Sequence, residues 1–400
     1  MISKKILAAS VLAAMGTSAH AIGFKAGDWN MDISGSVNAY YTNTKCDNAG
    51  ATASGALGLC GFSQTGQSSN NIQNGLLPGF IVFSASTTQN GYDLKGVISI
   101  DPGTTNSSAA STALSGGVGQ SVGDARRVYL SFGNKDIGTL KLGRDIGLFG
   151  SNAILNDMSL LAVGGGAAYN GALNTTLGSI GSGYVYTQFQ PQITYTSPDL
   201  GGLSLSGGVF QPVALSATTT SATSSHNKTG FQGMATYALG KDGKVWATLI
   251  NQSRDTTTNQ ADLSGGELGG NYNIGNLGLT GNYFTGKGLG TTLIGFGGAD
   301  ANGGKRDSNG YLLQATYKLN NTKFGINYGK SKLDATAADT AANTIMLREN
   351  TNITAGVYHN LTPSLTLAAE YTTQKQTYQL GAAGPEGKAN TFALGAILFF

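Results

Sequence analysis

DARRVYLSFGNKDIGTLKLGRD, Asp124 to Asp145, reads as two β-strands joined by a turn. Val128, Leu130 and Phe132 alternate with Arg127, Tyr129 and Ser131. Beyond a turn at 134–138, Leu140 and Leu142 alternate with Thr139, Lys141 and Gly143. One face is apolar and the other is basic and polar. A soluble sheet carries this pattern with its apolar face on a core. A closed membrane barrel carries it with that face on lipid and the polar face on a wet lumen. The remainder of the chain favours the barrel.

Residues 1–21 form a secretory leader: Lys4 and Lys5, an apolar run from Ile6 to Gly16, and an Ala19-His20-Ala21 cleavage site. The 400 residues include 61 Gly, only 7 Pro and 11% charged side chains, and the mean hydropathy is −0.06. About a quarter of residues are charged in a typical soluble domain. No apolar run long enough for a transmembrane helix follows the leader. Short alternating segments with low charge and hydropathy near zero suit an outer-membrane β-barrel, which spreads its apolar surface over every second residue. The 24 Lys and Arg less Lys4 and Lys5 leave 22 against 21 acids, which argues against a nucleic-acid partner. Residues 22–400 show no composition break and are expected to form one barrel domain.

The alternation recurs along the chain. Ile33, Gly35, Val37, Ala39 and Tyr41 make the first apolar register, and Leu94, Gly96, Ile98 and Ile100 a later one. Paired strands follow across short turns near 198–202, 240–243, 273–276, 320–321 and 361–364, and residues 392–400 close the series. Long polar segments at 102–122, 214–228, 287–308 and 333–347 separate the pairs. The count is about sixteen antiparallel strands, with short periplasmic turns and long external loops. Tyr and Phe recur near strand ends, as in an interfacial aromatic girdle, although ordinary β-propensity also favours them. The registers of 245–252 and 263–272 are blurred by Gly and mixed polarity. Cys46 and Cys60 are read as lying in one Gly/Ala/Ser-rich loop. Export to an oxidising compartment and the even count predict a disulfide between them; two free thiols are the alternative.

The closing strand TFALGAILFF ends on Phe400, with Phe392, Leu394, Ala396 and Leu398 on the same face. Together with the leader and the hairpin ending Thr139-Leu140-Lys141-Leu142-Gly143-Arg144, it resembles the Gram-negative general porin family, the proteobacterial trimeric outer-membrane porins. The resemblance implies a homotrimer in outer-membrane lipid and Phe400 as a signal read by the barrel-assembly machinery. It also implies a third loop, residues 145–183, folded into the lumen as a pore constriction. Residues 22–32 differ from the family's usual opening strand. The third loop is rich in Gly, Ala and Leu and holds only two acids, Asp145 and Asp157.

Lys95, Arg127 and Lys141 occupy inward positions on three adjacent strands, and Arg126 and Arg144 stand at strand ends. A cation facing lipid near the midplane costs about 2–4 kcal/mol, so the lumen is the cheaper place. The functional reading is a basic ladder facing Asp157, favouring anions. The plainer reading has these charges solvating the wall or pairing with Asp93 and Asp124. Leu155, Leu160, Leu161 and Tyr169 line an apolar constriction on one reading and anchor the loop on the other. Residues 152–158 suit a short helical turn. His226 and His359 lie at opposite ends of the barrel and cannot share a metal; no cofactor is expected. The sequence therefore predicts a channel for passive diffusion of small hydrophilic solutes and ions. The rivals are a selective channel for small organic anions, a structural or adhesive barrel, and an outer-membrane hydrolase begun from His226.

Overall fold

The computed structural model describes residues 22–48, 53, 55–57, 59–60, 68–106, 121–168, 175–213, 228–253, 262–381 and 386–400. The leader, Tyr169 and His226 lie outside the described residues. Nineteen strand segments form one closed antiparallel sheet. Three are short pieces, Ile22–Ala26, Ser68–Gln73 and Ser121–Asp124, which continue the tracks of longer strands, so the wall has sixteen strands.

In chain order these are β1 (Trp29–Asn48), β2 (Phe80–Gln89, preceded by Ser68–Gln73), β3 (Tyr92–Asn106) and β4 (Val128–Asn134, preceded by Ser121–Asp124). Next come β5 (Gly138–Ile146), β6 (Phe189–Thr196), β7 (Leu203–Phe210), β8 (Gly230–Ala238), β9 (Gly243–Gln252) and β10 (Leu263–Ile274). The set ends with β11 (Leu277–Lys287), β12 (Asp307–Leu319), β13 (Thr322–Leu333), β14 (Met346–Asn360), β15 (Leu365–Gln379) and β16 (Gly387–Phe399). Each strand pairs with its sequence neighbour, and β16 pairs with β1 from Phe399↔Ser36 to Lys388↔Asn48. Phe400 completes the seam: Gly35 N donates to its carbonyl at 2.8 Å and Phe400 N donates back to Gly35 O at 3.0 Å. No helix among the described residues is long and apolar enough to cross a membrane.

The two faces separate as the alternation predicts. Val37, Tyr41, Ile98, Val128, Leu130, Phe392 and Leu394 are exposed on the outside. Val97, Ser99, Asn38 and Thr42, one residue out of phase, are buried inside. The strands run further outward than the alternation shows. Asn43 to Asn48 still belong to β1, although both faces there are polar. Cys46 therefore sits on a strand, paired with Ala389, and not in a loop; its disulfide with Cys60 staples the second segment onto β1. Strands that rise above the bilayer keep their hydrogen bonds but no longer need an apolar face, so the sequence signal disappears there.

The inside is not uniformly polar. Tyr40, Phe80, Tyr358, Ile397 and Phe399 point inward and pack with Leu161, Ala162, Val163 and Ala167 of the third loop. A barrel that holds a loop in its lumen needs such an apolar seat, because chain ordering must be offset by burial.

Candidate functional site

The third loop, described over 147–168 and 175–188, runs along the inner wall. It opens with helix α1 (Ser151–Asn156), whose N-cap Gly150 has φ 79°, a left-handed conformation that glycine adopts without penalty. A 3₁₀ turn at Met158–Leu161 follows, capped by Asp157, whose carboxylate accepts from Ser159 N. The expected helical turn over 152–158 is thus split in two at Asp157.

The wall then takes hold of the loop, strand after strand. Gln232 on β8 accepts from Leu148 N and Phe149 N, and Lys244 on β9 donates to Asn152 at 2.6 Å. Gln314 on β12 accepts from Met158 N, and Asn327 on β13 donates to Ser179 Oγ. Asn352 on β14 donates to Gly178 O, and Glu370 on β15 accepts from Val163 N and Gly164 N at 2.9 and 2.7 Å. Tyr40 on β1 donates to Leu161 O. A Cβ at Gly75 or Gly329 would overlap the loop carbonyls of Ala162 or Ser182, so glycine sets how close the wall stands. Leu160 and Leu161 are buried in these contacts, the anchoring arrangement, while Leu155 is half-buried.

No hydrogen bond among the described residues joins 150–183 to β3, β4, β5, β6 or β7, so this arc is left to the lumen. Lys95, Ser131 and Lys141 form one cross-strand row on its inner face. Lys141 Nζ meets Asp145 Oδ2 at 2.6 Å and lies 5.3 Å from the Tyr129 ring centroid. The Arg127 guanidinium lies 5.3 Å from the ring centroid of inward Phe80, and Lys95 feels the charges of Asp32 on β1, then of Asp145 and Arg127. Among the described residues no carboxylate forms a salt bridge with Lys95 or Arg127.

The other expected site residues fall elsewhere. Arg126 pairs with Asp124 at 3.2 Å and stacks over Phe189, so one of the plainer pairings holds. Arg144 lies opposite Val128 and Pro191 in the ladder, out of phase with Lys141. The carboxylate of Asp157 is not open to the passage. It is 3% exposed and accepts from Ser159, Ser179 and Tyr184. Its partners come from distant segments, which no local pattern reveals. Inward cations that escaped the sequence reading include Lys244 beneath the loop and Lys323, 4.8 Å from the Tyr358 ring centroid. Lys244 shares its face with Trp246 and Thr248, and that phase would have exposed it. Buried Glu267 and Glu370 also went unread. His359 stands at a turn beside Thr322, and no metal-holding cluster exists among the described residues.

A family model described as Gram-negative porin matches residues 8–379. No curated protein matches the chain. Among solved structures, Salmonella typhi OmpF, in complex with daunomycin, aligns with TM-score 0.59 at 15% identity, covering 95% of this chain and 100% of that one. OmpT, an outer membrane protein of Vibrio cholerae, aligns with TM-score 0.58 at 14% identity over 95% of this chain and 100% of its own. At such identities the likeness is one of fold.

Proposed function

This chain belongs to the Gram-negative porin family and forms an outer-membrane channel, and we propose that it passes small hydrophilic solutes and ions by passive diffusion with a preference for anions. The observation that carries the preference is the imbalance of accessible charge. Lys95, Arg127, Lys244 and Lys323 are half-buried on the inner wall, whereas Asp101, Asp157, Glu267 and Glu370 are at most 4% exposed. Asp145 is taken by Lys141. Asp32 on β1 and Asp145 act on Lys95, so the surplus rests chiefly on Arg127, Lys244 and Lys323; a mobile anion in the narrow passage meets more open cations than open acids, and a low-dielectric wall strengthens that attraction.

In this reading residues 145–183 narrow the passage from one side, with Lys95, Arg127 and Lys141 opposite. Residues 1–21 are removed on export, the channel is not an enzyme, and three copies assemble; the last follows from the family resemblance. The deciding measurement is the reversal potential of single channels in a planar bilayer under a salt gradient. It falls on the anion side for the parent and moves towards zero for Lys95→Gln/Arg127→Gln. A parent value on the cation side overturns the preference. Absence of current from folded protein overturns the channel.

One observation favours a narrower specificity. Arg127 and Lys141 each lie against an aromatic ring, Phe80 and Tyr129. Such a surface offers a carboxylate its charge partner and the attached carbon skeleton an apolar face. Liposome swelling faster with small carboxylates than with neutral sugars of equal size supports that selective channel.

A further inference from the structure

The wall is interrupted between β1 and the track of β2. Gln73 pairs with Tyr40 and Phe80 pairs with Ser36, so six residues, 74–79, stand against three, 37–39. A β-bulge takes up one extra residue; three surplus residues leave the sheet. Pro78 adds to this, since it has no N–H to give a ladder. The segment Asn74-Gly75-Leu76-Leu77-Pro78-Gly79 leaves towards the lumen. Leu76 N donates to Ala162 O at 2.7 Å, and Thr176 N donates to Gly75 O at 2.9 Å. The Leu76 side chain packs with Leu160, Leu177 and Ile180 of the third loop. Exposed Val37 beside the break and Ile100 on β3 place it within the apolar belt.

A segment that quits a sheet inside a membrane strands its own peptide groups and those of the strand it deserts, and each needs another partner. Asn38 supplies several of them. It is 2% exposed and lies at the middle of the deserted stretch of β1. Its Nδ2 donates to Leu77 O at 3.1 Å and to Pro78 O at 3.2 Å, and its Oδ1 accepts from Gly75 N at 3.0 Å. One side-chain amide thus holds three backbone groups of the segment. Thr104 on β3 closes the wall behind it: its Oγ1 donates to Asn38 O at 3.2 Å and its N donates to Asn74 Oδ1.

Leu77 is half-buried and packs against two apolar clusters at once. One holds Leu161, Ala162 and Val163 of the third loop and has Tyr129 at its edge. The other has Ile146 and Leu155 at its edge. Tyr129 is the ring beside Lys141, and Phe80, which follows the segment, is the ring beside Arg127. Leu77 stands where the apolar filling of the barrel ends and the basic arc begins.

We propose that the constriction has a second jaw made of the wall's own residues 74–79, with Leu77 as the specificity-determining tip towards Arg127 and Lys141 and with Asn38 as its positioning residue. A permeating solute then meets charge on one side and a branched apolar side chain on the other. The two jaws are bonded to each other through Leu76 and Ala162 and through Gly75 and Thr176, so the third loop takes its place partly from the wall segment. The proposal rests on the channel reading and does not depend on the sign of its selectivity.

The test puts one thiol at the tip. Cys46 and Cys60 are paired with each other, so Leu77→Cys adds a single reactive thiol. The folded variant is inserted in a planar bilayer and treated with water-soluble methanethiosulfonates, one cationic and one anionic. Both lower the single-channel conductance at least about twofold; the cationic reagent moves the reversal potential towards anions and the anionic reagent moves it towards cations. In Asn38→Ala/Leu77→Cys the thiol is still modified, as mass spectrometry of the recovered protein shows, but the loss of conductance is less than about half as large, because the tip no longer stands in the passage. A residue that only stabilises the fold would lower the unfolding midpoint and leave the effect of modification undiminished, which overturns the role of Asn38. A Leu77→Cys channel whose conductance and reversal potential ignore both reagents overturns the jaw. Parent protein without current defeats the channel reading on which the jaw depends, whereas a parent reversal potential on the cation side defeats the anion preference alone. Should the double variant fail to fold, the single variant decides.

Discussion

Glu370→Ala tests whether the third loop is held by the wall or merely rests on it. In the parent the Glu370 carboxylate is 2% exposed and takes three donors: Val163 N at 2.9 Å, Gly164 N at 2.7 Å and Tyr358 OH at 2.5 Å. Truncation leaves all three without that acceptor in a space closed to water. A buried donor deprived of its partner costs about 1–3 kcal/mol, so three set a lower bound near 3 kcal/mol. That bound is roughly a hundredfold shift towards conformations in which residues 163–164 leave the wall. The whole loop stays in place, because Gln232, Gln314, Asn327 and Asn352 still grip it elsewhere. Open-channel noise and brief closures therefore rise at least several-fold in single-channel records, while the protein still folds. Glu370→Gln keeps one acceptor oxygen and falls between the two. Records of the Ala variant that superimpose on the parent's would refute the reasoning, since a loop indifferent to its main acceptor is not held by it.

Two further predictions follow from the same geometry. Replacing Cys46 and Cys60 by Ser opens a link across 14 positions, worth about 3 kcal/mol in the chain-entropy model; the barrel still folds, and its unfolding midpoint in denaturant falls relative to the oxidised parent but matches the reduced parent. On the external side, Arg306 donates to both carboxylate oxygens of Asp339 at 2.8 and 2.6 Å, which holds that carboxyl below its usual range. A carboxyl depressed in the folded state contributes stability above its unfolded value of about 3.9 and loses it as pH falls through the folded value. Pepsin therefore cuts within 288–345 faster at about pH 2.5 than at about pH 4.5, and Arg306→Gln removes most of that difference; a parent cut equally at both would refute the role of the pair.

The fold was readable where one face met lipid and the other met water. In Val128–Arg144 a slip of one residue would turn every Leu inward, so the alternation is enforced and visible. It faded wherever that constraint was absent. The outer ends of β1 and β3 are polar on both faces, and they read as loop although they stay paired. The site was readable in the same proportion. Lys95 and Lys141 could be put on one face because their strands alternate cleanly, and they share a row. Lys244 was lost because it stands against the turn at 240–243, just before the stretch read as a strand, although Trp246 and Thr248 continue its face. Asp157 drew too much from its charge for another reason: being acidic and inside the barrel says nothing of whether its oxygens are free. Tyr184 and Ser179 occupy them from more than twenty residues away, and Asn327 approaches from the far wall. Such occupancy is a property of the packed loop and has no local signature.

The seam between Gly35 and Phe400 has a consequence for the order of events in folding. Every other contact in the wall joins strands adjacent in the chain, and those hairpins can zip soon after they are made. The seam joins the first strand to the last, the most costly loop to close and the slowest contact to find. Until then β1 and β16 present bare edges, which any other strand can occupy. A Cβ at Gly35 would lie 2.6 Å from the Phe400 ring. The small residue on the first strand therefore leaves room for the large ring after the last, and the cylinder shuts only when the two edges have met.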